Sequence, residues 1–128
     1  MGTSLIATDT SSLVAFLSGA TGADVARIEA AMAANELVIP PPVVTELYSK
    51  PNRSEIAPLL IDIPMMDLAD GYWERAGQTR RVLLAKGLKA AMADALVAQC
   101  CIDADTPLIA RDRDYRHFER WCGLKLAG

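Results

Sequence analysis

The sequence predicts an α/β fold, a three-layer α/β/α sandwich on a mainly parallel sheet, formed as a single domain over residues 1–128. Three observations carry that prediction. Short apolar runs at 4–8, 37–39 and 107–110 alternate with segments of helical period, the pattern of strands joined by helical crossovers. The stretch 90–102 is apolar on nearly every side and holds Asp94 as its only charge, as expected of a helix packed inside layers. The first and third runs are followed at once, or nearly so, by Asp9 and Asp112. In open parallel sheets the ligand crevice lies beyond the carboxyl ends of the strands, so these two acids are expected to be neighbours.

The elements follow in order. Ser4 to Thr8 forms a strand, and Asp9, Thr10, Ser11 and Ser12 supply capping oxygens for a helix carrying Leu13, Val14, Phe16 and Leu17. Gly19 and Gly22 break the chain before a second helix over 23–34, with Val25, Ile28 and Met32 on one face. Leu37, Val38 and Ile39 form a strand stopped by Pro40, Pro41 and Pro42, and a helix entered through proline follows, in which Val43, Val44, Leu47 and Tyr48 recur at i, i+4. Residues 51–64 give mixed signals: Ile56, Leu59 and Leu60 point to helix, whereas Ile61 and Ile63 alternate around Asp62 like a strand.

Asp67 or Asp70 is expected to cap a helix over 68–86. Trp73, Ala76, Val82 and Leu83 would face inward, Arg75, Arg80, Arg81 and Lys86 outward, and Gly87 would end it. After the Asp94 helix come a turn at 103–105, the third strand, the acids Asp112 and Asp114, and a short helix over 115–121. The tail 123–126 is expected to add a last strand. No repeat, low-complexity stretch or linker interrupts the chain.

Hydrophobic residues make up 52% and charged residues 23%, the balance of an ordinary soluble domain, and no run approaches a membrane span. The N-terminus lacks the basic and long apolar regions of a secretion signal, so cytoplasmic location is expected. Cys100, Cys101 and Cys122 form neither a disulfide framework nor a zinc pattern. A net charge of −3 argues against a general nucleic-acid binder held by counterion release. It leaves room for an enzyme that sets divalent cations between its own carboxylates and a phosphate.

Asp94 is the acid most in need of a reason, because an unpaired buried carboxylate is strongly disfavoured. It is expected to be paired, to cap a helix, or to bind a cation. Glu46, on the helix after the second strand, sits at the edge of the face made by Val43 and Leu47 and can turn toward the same crevice as Asp9, Asp94 and Asp112. Four carboxylates brought together repel, so hard cations such as Mg²⁺ or Mn²⁺ are the natural occupants.

Taken together, Asp9-Thr10-Ser11-Ser12-Leu13-Val14, Pro41-Pro42-Val43-Val44-Thr45-Glu46-Leu47, Ala93-Asp94-Ala95-Leu96-Val97-Ala98 and Ala110-Arg111-Asp112-Arg113-Asp114-Tyr115 resemble a PIN domain of the small VapC toxin type. Each block is weak alone, and their order and spacing across nearly the whole chain make the set specific. The resemblance implies a PIN-like α/β/α fold and a Mg²⁺- or Mn²⁺-dependent endoribonuclease, restrained by a VapB-like antitoxin and assembled as a homodimer. It implies that Asp9, Glu46, Asp94 and Asp112 are the catalytic, metal-binding acids, with Asp114 as an optional fifth. Thr10 or Ser11 matches the hydroxyl that follows the first aspartate, and both serve equally well as caps.

Arg80, Arg81, Lys86 and Lys89 flank the Asp94 helix, and Arg111, Arg113 and Arg116 flank the fourth acid. Either set is a candidate for RNA phosphate contact, with solvated helix faces as the plainer alternative. Tyr72, Trp73 and Trp121 are expected in the core or at a partner interface rather than stacked on bases, and His117 as an ordinary surface residue. Two other functions compete. A phosphoacceptor receiver domain has this size and a Mg²⁺ pocket, but it wants paired acids after its first strand and a functional late lysine. Here Asp9 stands alone and Lys125 lies in the tail. A catalytically silent PIN module that binds RNA or acts as a scaffold would share the fold.

Overall fold

The computed structural model of the protein describes residues 4–51, 60 and 62–127. Its sheet has β1 (Ile6–Thr8) at the centre, with β2 (Leu37–Val38) and β3 (Leu108–Ile109) on either side, all parallel, in the order β2-β1-β3. The register sets Ala7 against both Val38 and Leu108. Two single parallel bridges widen it: Ile39 pairs with Met65 outside β2, and Leu126 pairs with Leu108 outside β3. The tail therefore joins the sheet, as its sequence predicts. Ala7, Leu37, Val38, Leu108 and Ile109 are all buried, which explains why the strands read as continuous apolar runs rather than alternating ones.

Six helices complete the sandwich among the described residues: α1 (Thr10–Leu17), α2 (Ala23–Ala33), α3 (Pro41–Ser49), α4 (Tyr72–Ala85), α5 (Met92–Asp103) and α6 (Tyr115–Cys122). Helix α2 packs on α1 and against β2 and β3, while α4, α5 and α6 pack on one another. Helix α3 touches both α1 and α5, closing the end of the sheet where the strands finish. No helix among the described residues is long and apolar enough to cross a membrane.

Helix α1 starts where Asp9 accepts a hydrogen bond from the Ser12 amide at 2.8 Å, so the first aspartate is a true N-cap. Helix α3 starts with proline at its first positions, where the missing N–H has no helical partner to lose. Helix α5 is capped by Ala91, not by Asp94, which lies inside the first turn. The capping account of Asp94 therefore fails, leaving its charge near the helix dipole and its neighbours to account for it.

Helix α4 differs most from the sequence expectation. It begins at Tyr72 with Gly71 at its cap in the left-handed conformation, so neither Asp67 nor Asp70 caps it. Trp73 and Val82, expected inward, are 63% and 43% exposed, while Tyr72, Ala76 and Leu83 form the buried face. Tyr72 and Trp73 are adjacent and both apolar, and the anchor is decided by the Tyr72 hydroxyl, which donates to the Leu96 carbonyl of α5 at 2.6 Å. Trp121, also 43% exposed, lies outside the core beneath the Lys86 ammonium, 4.0 Å from its ring centroid. Arg75 is half-buried rather than outward: its guanidinium binds both Asp103 oxygens, at 2.9 and 2.7 Å. Arg80 likewise turns back, donating from Nε to the Ala90 carbonyl at 2.8 Å. In the mixed segment Leu60 and Asp62 have helical backbone, so the strand expectation fails at Asp62, while Ile56, Leu59 and Ile61 lie outside the described residues.

Between α4 and α5, buried Gln99 accepts from the Thr79 hydroxyl at 2.5 Å and donates to Asp103 at 2.8 Å. This polar link ties α5, the helix that carries Asp94, to α4. Gln99→Ala is expected to lower unfolding free energy by about 1 to 3 kcal/mol, measured by urea denaturation, because a buried side chain is lost and Thr79 and Asp103 each lose a partly buried bond.

Candidate active site

Strand β1 delivers Asp9 to the end of the sheet, and the Asp9 amide donates to the Ile109 carbonyl at 2.9 Å, tying it to the end of β3 just before Asp112. Helix α3 brings Glu46 from one side and the first turn of α5 brings Asp94 from the other. Asp9, Thr10, Ser11, Glu46, Asp94 and Asp112 line one cleft of about 290 Å³, together with Val14, Lys50 and Tyr115. Oxygens of Asp94, Asp112 and Asp114 lie within 4.8 Å of one another. All five acids singled out in the sequence thus meet at one end of the sheet.

Three of the acids are each held by a different device. Asp9, buried, accepts from the Ser12 amide on one oxygen and from the Ser11 hydroxyl on the other, at 2.8 and 2.9 Å. Thr10 donates its hydroxyl to Glu46 Oε1 at 2.6 Å. The two hydroxyls therefore orient acids, one each, while the cap of α1 is Asp9 itself. Asp112 accepts the Asp114 amide at 2.9 Å, closing a turn that fixes these two acids side by side.

Burial raises the carboxyl of Asp9 above its ordinary range, against the lowering effect of its serine hydrogen bonds. Asp94 is pushed up to about 6, first by burial and then by the charge of Asp112, with Glu46 and Asp114 adding to it. The nearby Tyr115 hydroxyl opposes that rise. The Tyr115 phenol, 2% exposed and surrounded by acids, is raised far above its ordinary value and stays protonated. A charge-repelling set of oxygen donors of this kind suits a hard divalent ion, and Asp94, Asp112 and Asp114 are the residues able to share one.

Sequence reasoning missed two lining residues. Tyr115 is the first residue of α6, three after Asp112, and its role was hidden because a tyrosine at a helix start reads equally as core. Lys50 follows Glu46 by one turn of α3, a spacing that does place both on one side. The basic candidates scatter. Arg111 turns away from its neighbour Asp112 and grips Asp24 at 2.8 and 3.0 Å, holding that carboxyl down at about 2. Arg80 and Lys86 are engaged within the fold as described above, Arg81 lines a groove between α4 and α5, and Arg113 and Arg116 are exposed. Lys89 reaches Asp114, with its Nζ 3.1 Å from Oδ2. His117 is partly buried on α6, and it does not line the cleft.

The sheet is parallel, and the clustered carboxylates lie beyond its strand ends, where open α/β sheets form their ligand crevices. The PIN domain family model matches residues 6–120, and the chain belongs to that family. Its fold is similar to a chain in the crystal structure of VapBC2 from Rickettsia felis bound to a DNA fragment from their promoter. The TM-score is 0.74 at 20% identity, covering 96% of this chain and 97% of that one. It is similar to a chain in DNA-bound VapBC from Salmonella typhimurium, with a TM-score of 0.72 at 17% identity and 96% of each chain covered. A third likeness is to FitAcB from Neisseria gonorrhoeae, with a TM-score of 0.70 at 16% identity and 97% of each chain covered. At these identities the likeness is one of fold. No curated protein sequence matches this chain significantly.

Proposed function

We propose that this chain is the toxin of a VapBC-type toxin–antitoxin pair, a cytoplasmic Mg²⁺- or Mn²⁺-dependent endoribonuclease. The observation that carries the reading is the meeting of Asp9, Glu46, Asp94 and Asp112 at one cleft, with Asp114 beside them and oxygens of Asp94, Asp112 and Asp114 within 4.8 Å of one another. Membership of the PIN family supports a nuclease and disposes of the receiver-domain alternative. The likeness to chains from VapBC and FitAcB structures supports a protein antitoxin as partner.

The reaction is hydrolysis of an RNA phosphodiester: a water oxygen attacks phosphorus, the bond to the 3′ oxygen breaks, and that oxygen leaves with a proton. A divalent ion bound there supplies charge neutralisation on the phosphate and lowers the pKa of water. Asp94, Asp112 and Asp114 would share that ion, with Asp9 and Glu46 as the further metal-binding acids of the cleft. The chain's own work is orientation. Ser11 and the Ser12 amide fix Asp9, Thr10 fixes Glu46, and the Asp114 amide fixes Asp112. These three acids are therefore set before substrate arrives. Lys50, on the cleft wall, is placed to meet an RNA phosphate.

The reading also needs protein contacts. The groove between α4 and α5, lined by Trp73, Ala76, Leu84, Met92 and Leu96, exposes Trp73, Leu84 and Met92 and supplies apolar surface for one of them. The testing experiment maps new RNA 5′ ends after brief induction of wild type and of Asp94→Asn. Discrete ends seen only with wild type support the ribonuclease. Their absence from cells holding folded protein favours the silent module. Two further results are expected in vitro: EDTA abolishes cleavage and Mn²⁺ restores it, and Thr10→Val weakens Mn²⁺ binding about tenfold by releasing Glu46, read by calorimetric titration.

A further inference from the structure

Lys89 lies between α4 and α5, outside the helices, and its side chain is 74% exposed. Its ammonium nevertheless rests on Asp114, whose side chain is 23% exposed, at 3.1 Å. Among the ion pairs of the described residues this one alone reaches the acid cluster: Arg75 goes to Asp103, Arg111 to Asp24 and Lys125 to Asp105. Asp114 cannot easily follow the lysine outward, because its amide is tied to Asp112 at 2.9 Å. Lys89 is held by its charged end alone, on a flexible stem with water around it.

Resting on the metal-site reading above, we propose that Lys89 is the resident counter-cation of the metal-free site, and that a divalent ion must displace its ammonium from Asp114 in order to bind. Three carboxylates with oxygens within 4.8 Å repel one another, and one tethered positive charge relieves part of that repulsion. The charges of Asp112 and Asp94 also act on the Lys89 ammonium, after that of Asp114. A divalent ion bonded to Asp114 would sit beside the ammonium at a separation where like charges repel strongly, so the two cations exclude each other. The lysine is the one that leaves, since an exposed pair is weak and its stem lets the head swing into water. Lys89 thereby raises the metal concentration at which the site fills.

The test is Mn²⁺ titration, by calorimetry or by the paramagnetic signal of free Mn²⁺, of wild type, Lys89→Met, Asp114→Asn and the double variant. Lys89 is exposed and outside the helices, so its substitution leaves the fold intact. Lys89→Met is expected to bind Mn²⁺ about two- to fivefold more tightly than wild type, the range of an exposed ion pair. That gain is expected to vanish in the Asp114→Asn background. Unchanged or weaker binding by Lys89→Met, while wild type binds, overturns the displacement and leaves the metal site standing. A gain that persists without Asp114 also overturns it, since it would then come from net charge alone. Wild type that binds no Mn²⁺ overturns both readings.

Discussion

Asp94→Asn is expected to reduce RNA cleavage at least about a hundredfold while making the metal-free protein no less stable at neutral pH. The loss follows from removing one negative oxygen donor from the three acids that can share an ion, where stabilisation of developing phosphate charge is the main catalytic contribution. Volume hardly changes, because asparagine is nearly isosteric with aspartate. Asp94 in the folded protein titrates at about 6, above the ordinary 3.8. Between those values the folded state binds more protons than the unfolded one, so stability rises as pH falls from above 6 toward 3.8. Above 6 the charged form burdens the fold. The full shift corresponds to about 3 kcal/mol, and solvent screening at this partly exposed group leaves on the order of 1 kcal/mol.

Urea denaturation in EDTA at pH 5 and pH 7.5 should therefore show wild type more stable at the lower pH and Asp94→Asn with a smaller difference. Asp9, raised in the same direction, retains part of the slope in the variant. Asp24, held down at about 2 by Arg111, works the other way, and its contribution is lost only as pH falls below about 4 toward 2. Equal slopes for the two proteins would remove Asp94 as the titrating group. Full cleavage by the variant under matched Mg²⁺ would remove it from the metal site.

What was legible in the sequence follows from how strongly each feature constrains local chemistry. The strands are short apolar runs, as a parallel sheet buried on both faces requires, and two of them are followed by acids. Asp9 and Asp112 could thus be set together before any contact was known. Asp94 stood out because it is a lone charge in an apolar helix. The structure removes the capping alternative by placing Ala91 at the cap, a distinction of three residues that periodicity cannot make. The rotation of α4 was illegible because Tyr72, Trp73, Val82 and Leu83 offer apolar residues on two faces, and a hydroxyl bond to Leu96 on another helix chooses between them. The fate of the basic residues was illegible for a related reason. Arg75 finds Asp103 across 28 positions and Arg111 finds Asp24 across 87, so no local spacing announces either pair. The arginine beside the fourth acid looks in sequence like a phosphate contact, and the fold spends it on holding α2.

Asp9 carries two roles that one pair of substitutions separates. Its carboxylate caps α1 through the Ser12 amide and also lines the cleft, so Asp9→Ala removes both functions and Asp9→Asn removes only the charge. Asparagine caps helices about as well as aspartate, whereas loss of a cap to alanine lowers stability by about 0.5 to 2 kcal/mol. Both variants are expected to lose cleavage about a hundredfold or more, but Asp9→Ala alone should lose stability by about that amount in urea denaturation. Burial sharpens the contrast: the charged form of Asp9 is disfavoured in its 2% exposed position, so the neutral amide relieves a burden that the cap has been offsetting. In Asp9→Ala the Ser12 amide and the Ser11 hydroxyl both lose their acceptor, and α1 should fray at its first turn, visible as faster amide hydrogen exchange at 10–13. Cleavage retained by Asp9→Asn would make the first aspartate a cap and nothing more. Loss of cleavage in both variants, with stability lost in one, would show that a single side chain ends the strand, starts the helix and charges the cleft.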